Sequence, residues 1–354
     1  MYRVPYCTRE DVSLASDTRD PGRRGIQIDR AIQSAADAVD RITQRRFWPD
    51  TGTRYFEWPS GQYSRAWRLW LDRDELIAVN SITLRDTDVE ITAGEYLLEP
   101  VNSGPPYTRI ELDVTVGAAS ATFGGSGGTQ RAVVVDGVWG YTDTRESAGT
   151  LNASISSSTA STTVRVTDSA AVGVGSLLYC EGERMLVTGK AFEDTSITLD
   201  SDLTAQANAI HFTANATGLV AGETIRVNSE VMLVGDVTGA EVFVQRAQEG
   251  TPLAAHTAGA SVYAPRRCTV TRAAAGTDAG AHAQDVALYV QRYPQMVTDL
   301  AIAEAQVQLA QENSSYGRVL GAGDNQREAR GKSIEDLRCT VMSAFGRQMR
   351  IQVV

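Results

Sequence analysis

Cysteine and lysine are scarce in this chain of 354 residues, and long apolar runs are missing. The four cysteines, Cys7, Cys180, Cys268 and Cys339, are scattered and form no C-x-x-C pair. This spacing argues against a disulfide framework or a zinc site. Isolated thiols are typical of a reducing compartment, where cysteine behaves as a small apolar residue.

The absence of long apolar stretches excludes a membrane-spanning helix, which needs roughly 18 such residues in a row. The first residues, MYRVPYCTRED, contain no apolar segment of the kind that a secretory signal has. We therefore expect no membrane partner.

Lysine occurs only at positions 190 and 332, so 31 of the 33 basic residues are arginine. Arginine forms bidentate pairs that suit interfaces, although genomic base composition explains the bias equally well. The net charge of −10 argues against a general nucleic-acid coat, which is usually basic. Residues 147–290 hold 14 acidic and 8 basic side chains and so carry −6 of this charge.

Catalytic motifs are also missing. The three histidines, His211, His256 and His282, belong to no H-E-x-x-H motif, and we interpret the last two as structural residues beside turns. Glu183 and Glu230 occupy the same position of a repeat and are interpreted as strand or turn residues. The sequence therefore predicts no catalytic residue, no cofactor-binding residue and no metal ligand, and hence no enzyme.

Helix signals are present at both ends of the chain. Thr8 can cap a short first helix, with Asp11 at the capping-box position. A second helix begins at Ile26. Its apolar stripe, at spacings of three and four, is formed by Ile28, Ile32, Ala35, Val39 and Ile42. A third helix is predicted over Pro294–Asn313, and Gly346 stops a fourth.

Between the helices the pattern predicts short strands separated by Pro, Gly and Asp turns. Five of these are Thr53–Trp58, Trp67–Leu71, Ser81–Arg85, Tyr96–Leu98 and Arg109–Leu112. The continuous apolar run Ala132–Val135 predicts a buried strand. Asp136–Gly137 is then predicted to form a tight turn before Trp139-Gly140-Tyr141.

Residues 147–290 contain internal repeats and no tryptophan. The segment 175–187 recurs 47 residues later at 222–234, and both copies end in Glu-x-Met-Leu-Val. The segment 244–256 recurs 26 residues later at 270–282. Apolar and polar residues alternate in each unit, so we expect small β modules, barrel-like or sandwich-like.

The order of these segments resembles the head–tail connector (adaptor) proteins of long-tailed bacteriophages. The resemblance is carried most clearly by Thr43–Phe47, Trp70–Asp72, Tyr96–Leu98 and Val133–Tyr141. It covers Tyr6–Tyr141 and Pro294–Phe345. The repeat pattern Glu-x-Met-Leu-Val … Gly-Thr-x-x-x-Ala-His is similar to segments of phage neck proteins.

The resemblance implies a structural virion protein without enzymatic activity or cofactor. Such adaptors form a homo-oligomeric ring, usually of twelve copies, below the portal protein. The ring joins capsid to tail, offers a platform to the next neck or tail protein, and extends the channel for double-stranded DNA. The DNA passes without sequence-specific binding, which an acidic chain would permit. The protein is then expected in the virion neck, after assembly in the host cytoplasm.

Sequence and resemblance together predict an α+β fold, a helical/β adaptor core interrupted by an inserted all-β repeat domain. Residues 1–146 and 291–354 are expected to form the adaptor core, with helices, a small β region, and the C-terminal helix and tail. Residues 147–290 are expected to form the insert, an independent and peripheral domain.

Two other functions stay open. The repeat domain could make the chain a virion decoration or host-surface-binding protein. Its aromatic residues show no clustered pattern: Tyr179, Phe192, Phe212, Phe243 and Tyr263. The third function is an enzyme acting on cell wall or DNA, against which the missing acid/base and metal residues argue.

The C-terminal tail, RQMRIQVV, is apolar, basic and β-prone, and Gly346 separates it from the last helix. Such a segment can add as a strand to the exposed sheet edge of a neighbour. We therefore predict that the tail contacts the portal or a neighbouring subunit, the alternative being a frayed chain end, which is common. The predicted contact residues are Arg347, Met349, Arg350, Ile351, Val353 and Val354.

Overall fold

The computed structural model describes residues 3–16, 21–58, 65–85, 88–116, 122–123, 130–214, 218–313, 319–320, 327–328 and 332–347. The helices are α1 (Arg9–Ala15), α2 (Pro21–Thr43), α3 (Gln295–Asn313) and α4 (Lys332–Phe345). Among these described residues, no helix has the length and apolar character that crossing a membrane requires.

The strands fall into a group before residue 140 and a group after residue 144. The first group is β1 (Asp50–Phe56), β2 (Arg68–Trp70), β3 (Leu76–Leu84), β4 (Val89–Glu90), β5 (Tyr96–Glu99), β6 (Arg109–Leu112) and β7 (Val133–Trp139). The second is β8 (Arg145–Thr150), β9 (Thr163–Arg165), β10 (Leu177–Cys180), β11 (Glu183–Thr198), β12 (His211–Thr213), β13 (Thr224–Val227), β14 (Glu230–Thr238), β15 (Glu241–Gln248), β16 (Ser261–Thr271) and β17 (Ala287–Gln291). Two short strands, β18 (Val319–Leu320) and β19 (Arg327–Glu328), pair before α4.

Strands dominate the fold, with 39% of the residues against 21% in helices. The largest element is an antiparallel sheet of ten strands, β8 to β17. The predicted α+β fold, a helical/β adaptor core interrupted by an inserted all-β repeat domain, is therefore wrong. The apolar stripes do form helices, but the regular elements described between α2 and α3 are strands and two 3₁₀ turns, so helices are the minor component.

The chain divides into two compact units. The first unit is Met1–Gln44, Arg145–Ala274 and Asp278–Val354, and the second is Arg45–Thr144 with Ala275–Thr277. These limits differ from the predicted core of 1–146 and 291–354, because the helices fall in the same unit as the repeats. Two hydrogen bonds tie them together: Arg9 N–H donates to Val174 O at 2.9 Å, and Val174 N–H donates to the side-chain Oε2 of Glu10 at 2.8 Å.

The second unit contains two antiparallel sheets, with strand orders β1-β7-β3-β4 and β2-β6-β5. The predicted turn at Asp136–Gly137 is wrong, because β7 runs through both residues as the central strand of its sheet. Gly137 faces an irregularity of β3, where a Cβ atom would lie 2.4 Å from Ala78 O. Glycine therefore permits close strand approach there, and it forms no turn.

The helices of the first unit follow most of the predicted signals, but α2 begins at Pro21, five residues before the predicted start at Ile26. The capping box of Thr8 and Asp11 is confirmed, with both reciprocal hydrogen bonds present. The predicted stripe of α2 is buried except at its last residue, which is half-buried, and α2 packs against α3. Arg338 of α4 holds Glu304 of α3 through two hydrogen bonds of 2.6 and 2.8 Å.

The ten-stranded sheet forms two closed barrels of the same topology. The order of the first barrel is β9-β16-β11-β10-β17-β8, and an isolated bridge between Leu151 and Val166 closes it. The order of the inserted barrel is β12-β15-β14-β13-β16-β11, and the equivalent bridge between Leu199 and Ala214 closes it. Each barrel encloses its own apolar core. The modules are thus barrel-like, one of the two expected forms.

One barrel is nested in the chain of the other. The long strands β11 and β16 pair along their length, and each contributes one half to each barrel. Residues 186–191 pair with 267–271 in the first barrel, whereas residues 193–198 pair with 261–264 in the inserted barrel. The inserted barrel therefore spans about residues 193–264. The chain passes from the first barrel into the inserted barrel along β11 and returns along its antiparallel neighbour β16.

Candidate functional site

Each barrel contains a buried glutamate–arginine–histidine cluster. In the first barrel, Glu183 opens β11 and Arg272 directly follows β16. Arg272 Nε and Nη2 donate to Glu183 Oε1 and Oε2 at 2.6 and 2.7 Å. Only 0% and 1% of these two side chains are exposed. A bidentate, charge-assisted pair of this kind is strong and fixes orientation.

Three further contacts complete the hydrogen bonding of Glu183. Ala273 N–H donates to Oε1 at 3.1 Å, Gly280 N–H donates to Oε2 at 3.0 Å, and His282 Nε2 lies 2.9 Å from Oε2. Burial alone would raise the pKa of Glu183, but the hydrogen bonds from Arg272, Ala273, Gly280 and His282 outweigh it and lower the pKa to about 2. The carboxylate is therefore ionised near neutral pH.

The guanidinium of Arg272 also binds loop carbonyls. Its Nη1 donates to Ser156 O at 3.0 Å and to Ser161 O at 3.3 Å, and its Nη2 donates to Gly280 O at 2.6 Å. These bonds join the loop between β8 and β9 to the segment before β17. The cluster thus holds irregular backbone that has few ladder hydrogen bonds of its own.

The inserted barrel repeats the cluster with Glu230, Arg246 and His256. Arg246 Nε and Nη2 both donate to Glu230 at 2.7 Å, and His256 Nε2 lies 2.9 Å from Glu230 Oε2. Ala247 N–H and Ala254 N–H donate to the same carboxylate at 3.0 and 3.1 Å. Burial is again outweighed by these hydrogen bonds, which lower the pKa of Glu230 to about 2.

A third buried carboxylate joins the two barrels. Arg266 Nε and Nη2 donate to Glu223 at 2.8 and 2.7 Å, and Ser169 Oγ donates to the same carboxylate at 2.6 Å. Ser169 lies between β9 and β10 of the first barrel, whereas Glu223 directly precedes β13 of the inserted barrel. All three carboxylates therefore accept bidentate hydrogen bonds from arginine side chains and hold irregular backbone in place.

The first barrel also gathers three side chains that can ligate a metal. Cys180 Sγ, a carboxylate oxygen of Glu181 and a ring nitrogen of His282 all lie within 4.8 Å of one another. Cys180 and His282 are buried, whereas Glu181 is exposed. Burial raises the pKa of the Cys180 thiol to about 12, and the carboxylates of Glu181 and Glu183 add to this shift. The sequence pattern predicts no metal ligand, because these residues form no contiguous motif.

Of the predicted contact residues in the tail, Arg347 falls within the described ranges. Its backbone N–H donates to Thr43 O at 3.0 Å, and the residue is half-buried. The base of the tail therefore lies against the C-terminal end of α2. The other predicted contacts lie outside the described residues: Met349, Arg350, Ile351, Val353 and Val354.

The repeats identify two of the three residues in each buried cluster. They place Glu183 with Glu230 and His256 with His282, but the arginines that bind the glutamates escape the sequence reasoning. A signal for them exists, since Arg246 and Arg272 occupy the same position of the 26-residue repeat.

The comparisons with known proteins give no match to any protein-family model, curated protein or solved structure.

Proposed function

We propose that this chain is a structural virion protein, a head–tail adaptor that forms a ring below the portal and joins capsid to tail. The observation that carries the proposal is the position of the segments that resemble adaptors. Leu71, Val133, Val135 and Trp139 belong to these segments and are buried in the apolar core of the second unit. Because the matching residues are buried in the core, the resemblance concerns the fold of this unit. In an adaptor ring, copies of such a folded unit assemble side by side.

The chemistry of the first unit also supports a structural role. Its buried acids Glu183, Glu230 and Glu223 accept hydrogen bonds from arginine side chains and from backbone, so they stabilise loops. The tail begins at a fixed point beside α2, which suits an arm that binds the portal or a neighbouring subunit. In this proposal the ring contains about twelve copies, also contacts the next neck or tail protein, and lets double-stranded DNA pass without sequence-specific binding.

The test is coexpression with the portal protein of the same phage genome. Native mass spectrometry and negative-stain microscopy are expected to show a ring of this chain on the portal. Portal alone and this chain alone are the controls for the added mass. A chain that stays monomeric and leaves the portal mass unchanged would contradict the proposal.

A second function, virion decoration or host-surface binding, is favoured by the two closed barrels with separate cores. Gold-labelled antibodies against the inserted barrel distinguish the two functions on intact virions. An adaptor is expected to give label at the single vertex where capsid and tail meet. Label over the whole capsid or at the distal tail would favour the second function.

A further inference from the structure

The buried histidines of the two barrels have the same contact at Nε2, a glutamate carboxylate, but different contacts at Nδ1. In the inserted barrel, the Asn228 amide nitrogen lies 3.1 Å from His256 Nδ1. An amide N–H can donate to the lone pair of a neutral imidazole, which leaves the ring proton on Nε2. In the first barrel, Glu181 Oε2 lies 2.9 Å from His282 Nδ1. A carboxylate only accepts, so a hydrogen atom or a metal ion has to lie between these two atoms.

Of a ring proton and a metal ion, the third side chain favours the metal. Cys180 occupies the position of Val227 in the repeat, just as Glu181 occupies the position of Asn228. Among the positions at which the two repeats differ, these two adjacent ones each bring a ligating atom to within 4.8 Å of a ring nitrogen of His282.

We propose that Cys180, Glu181 and His282 bind one divalent transition-metal ion, for which zinc is the best-fitting element. Sulfur and imidazole donors select zinc over magnesium or calcium. Three protein ligands leave a fourth position for water, and the Glu181 side chain, 54% exposed, opens the site to solvent. The ion would link the turn between β10 and β11 to the segment before β17.

The surroundings of His282 fit such a site. Its Nε2 faces Glu183 Oε2 at 2.9 Å, which is the carboxylate–histidine–metal arrangement that orients metal-ligating imidazoles. Glu183 is held in turn by both nitrogens of Arg272. The histidine is therefore pre-oriented by a network that the inserted barrel also possesses, whereas the Cys180–Glu181 pair is found in the first barrel alone of the two.

The inserted barrel supplies the matched variant. Cys180→Val with Glu181→Asn converts the site to the residues that the inserted barrel carries at the same positions. We expect this double variant to fold, because Val227 and Asn228 fit the same topology, and asparagine tolerates the positive φ of +43° that Glu181 adopts. Both proteins carry Cys339→Ser to remove the exposed thiol, and neither carries a polyhistidine tag.

The experiment titrates the full chain with zinc and, separately, with cobalt. Calorimetry is expected to give one equivalent of zinc per chain, and cobalt is expected to give the near-ultraviolet absorption of a cobalt–thiolate bond. Both signals should disappear in the double variant, as should the rise in melting temperature on adding zinc. Equal weak binding by both proteins, without cobalt–thiolate absorption, would overturn the proposal and assign a proton to His282 Nδ1.

A gain of function tests the same donor pattern in the other barrel. Val227→Cys with Asn228→Glu is expected to raise the stoichiometry to two equivalents of zinc. An unchanged stoichiometry in a variant with unchanged circular dichroism would contradict the claim that this donor pattern creates the site. Neither titration involves the portal, so the outcome is independent of the proposed adaptor function.

Discussion

Glu230→Gln is expected to destabilise the inserted barrel strongly while leaving the second unit unchanged. The substitution keeps the shape of the side chain but removes its charge. Arg246, whose side chain is only 4% exposed, would then keep a buried positive charge without its partner. Removing one member of a buried ion pair is costly because the other charge stays desolvated.

The magnitude follows from the pKa of Glu230. The folded barrel lowers it from an ordinary 4.5 to about 2, which corresponds to about 3 kcal/mol of stability at neutral pH. Because the folded-state pKa is depressed, this contribution is complete above about pH 4.5 and is lost as the pH falls from there toward 2. Glu230→Gln should therefore also flatten the acid side of the stability profile.

The five tryptophans separate the two units in this assay. All lie between residues 48 and 139, hence in the second unit, so tryptophan fluorescence follows that unit alone. Hydrogen exchange at amides of 193–264, followed by mass spectrometry, reports the free energy of opening the inserted barrel. Glu241→Gln is the matched control, because Glu241 is an exposed carboxylate on β15 of the same barrel.

Two results would refute this reasoning. One is a loss of less than about 1 kcal/mol in the opening free energy of the inserted barrel, which is the range of an exposed pair. The other is an acid dependence that is the same in the variant and in the original protein. Either would mean that the Glu230 cluster contributes little beyond what the surrounding strands already supply.

Three further predictions concern other parts of the chain. Gly137→Ala should destabilise the second unit by about 1–3 kcal/mol in tryptophan-monitored unfolding, because its Cβ would lie 2.4 Å from Ala78 O; Gly52→Ala, with open space around the added atom, is the neutral control. Truncation after Gly346 should leave the fold unchanged and abolish portal binding or ring formation, and undiminished assembly would mean that the tail is only a chain end. Removal of residues 195–262 should leave the first barrel folded, as judged by hydrogen exchange in β10 and β17.

Local signals in the sequence predicted local structure well. Thr8 and Asp11 correctly predict the start of α1, and the spacing of the apolar residues in α2 correctly predicts its buried face. Both features depend only on residues within two helical turns of each other along the chain. The same reasoning failed at Asp136–Gly137. There the turn preference of the dipeptide is overridden by strands on both sides, which need a glycine for close approach rather than for a turn.

The nesting of the barrels was recognisable in principle. A tandem duplication shifts every element by the same distance, whereas here the first halves are offset by 47 residues and the second halves by 26. Along the chain, one half of the first barrel comes first, then both halves of the inserted barrel, and then the other half of the first barrel. This order gives the two halves unequal offsets, as nesting requires. The Cys180, Glu181 and His282 group depends on this arrangement, because it joins residues about 100 positions apart that only the nested topology brings together.

The same topology is why removal of the inserted barrel should succeed. Asp194 pairs with Tyr263 across β11 and β16, so the two ends left by removing 195–262 already face each other. An Asn-Gly connection matches the two-residue turn that such antiparallel neighbours favour. The main contact that the first barrel loses is the carboxylate of Glu223, which binds Ser169 and Arg266. Arg266 then lies near the new end of the hairpin, where water can solvate it. A protein whose β10 and β17 amides lose protection by more than about 1 kcal/mol would show that the barrels fold as one cooperative unit instead.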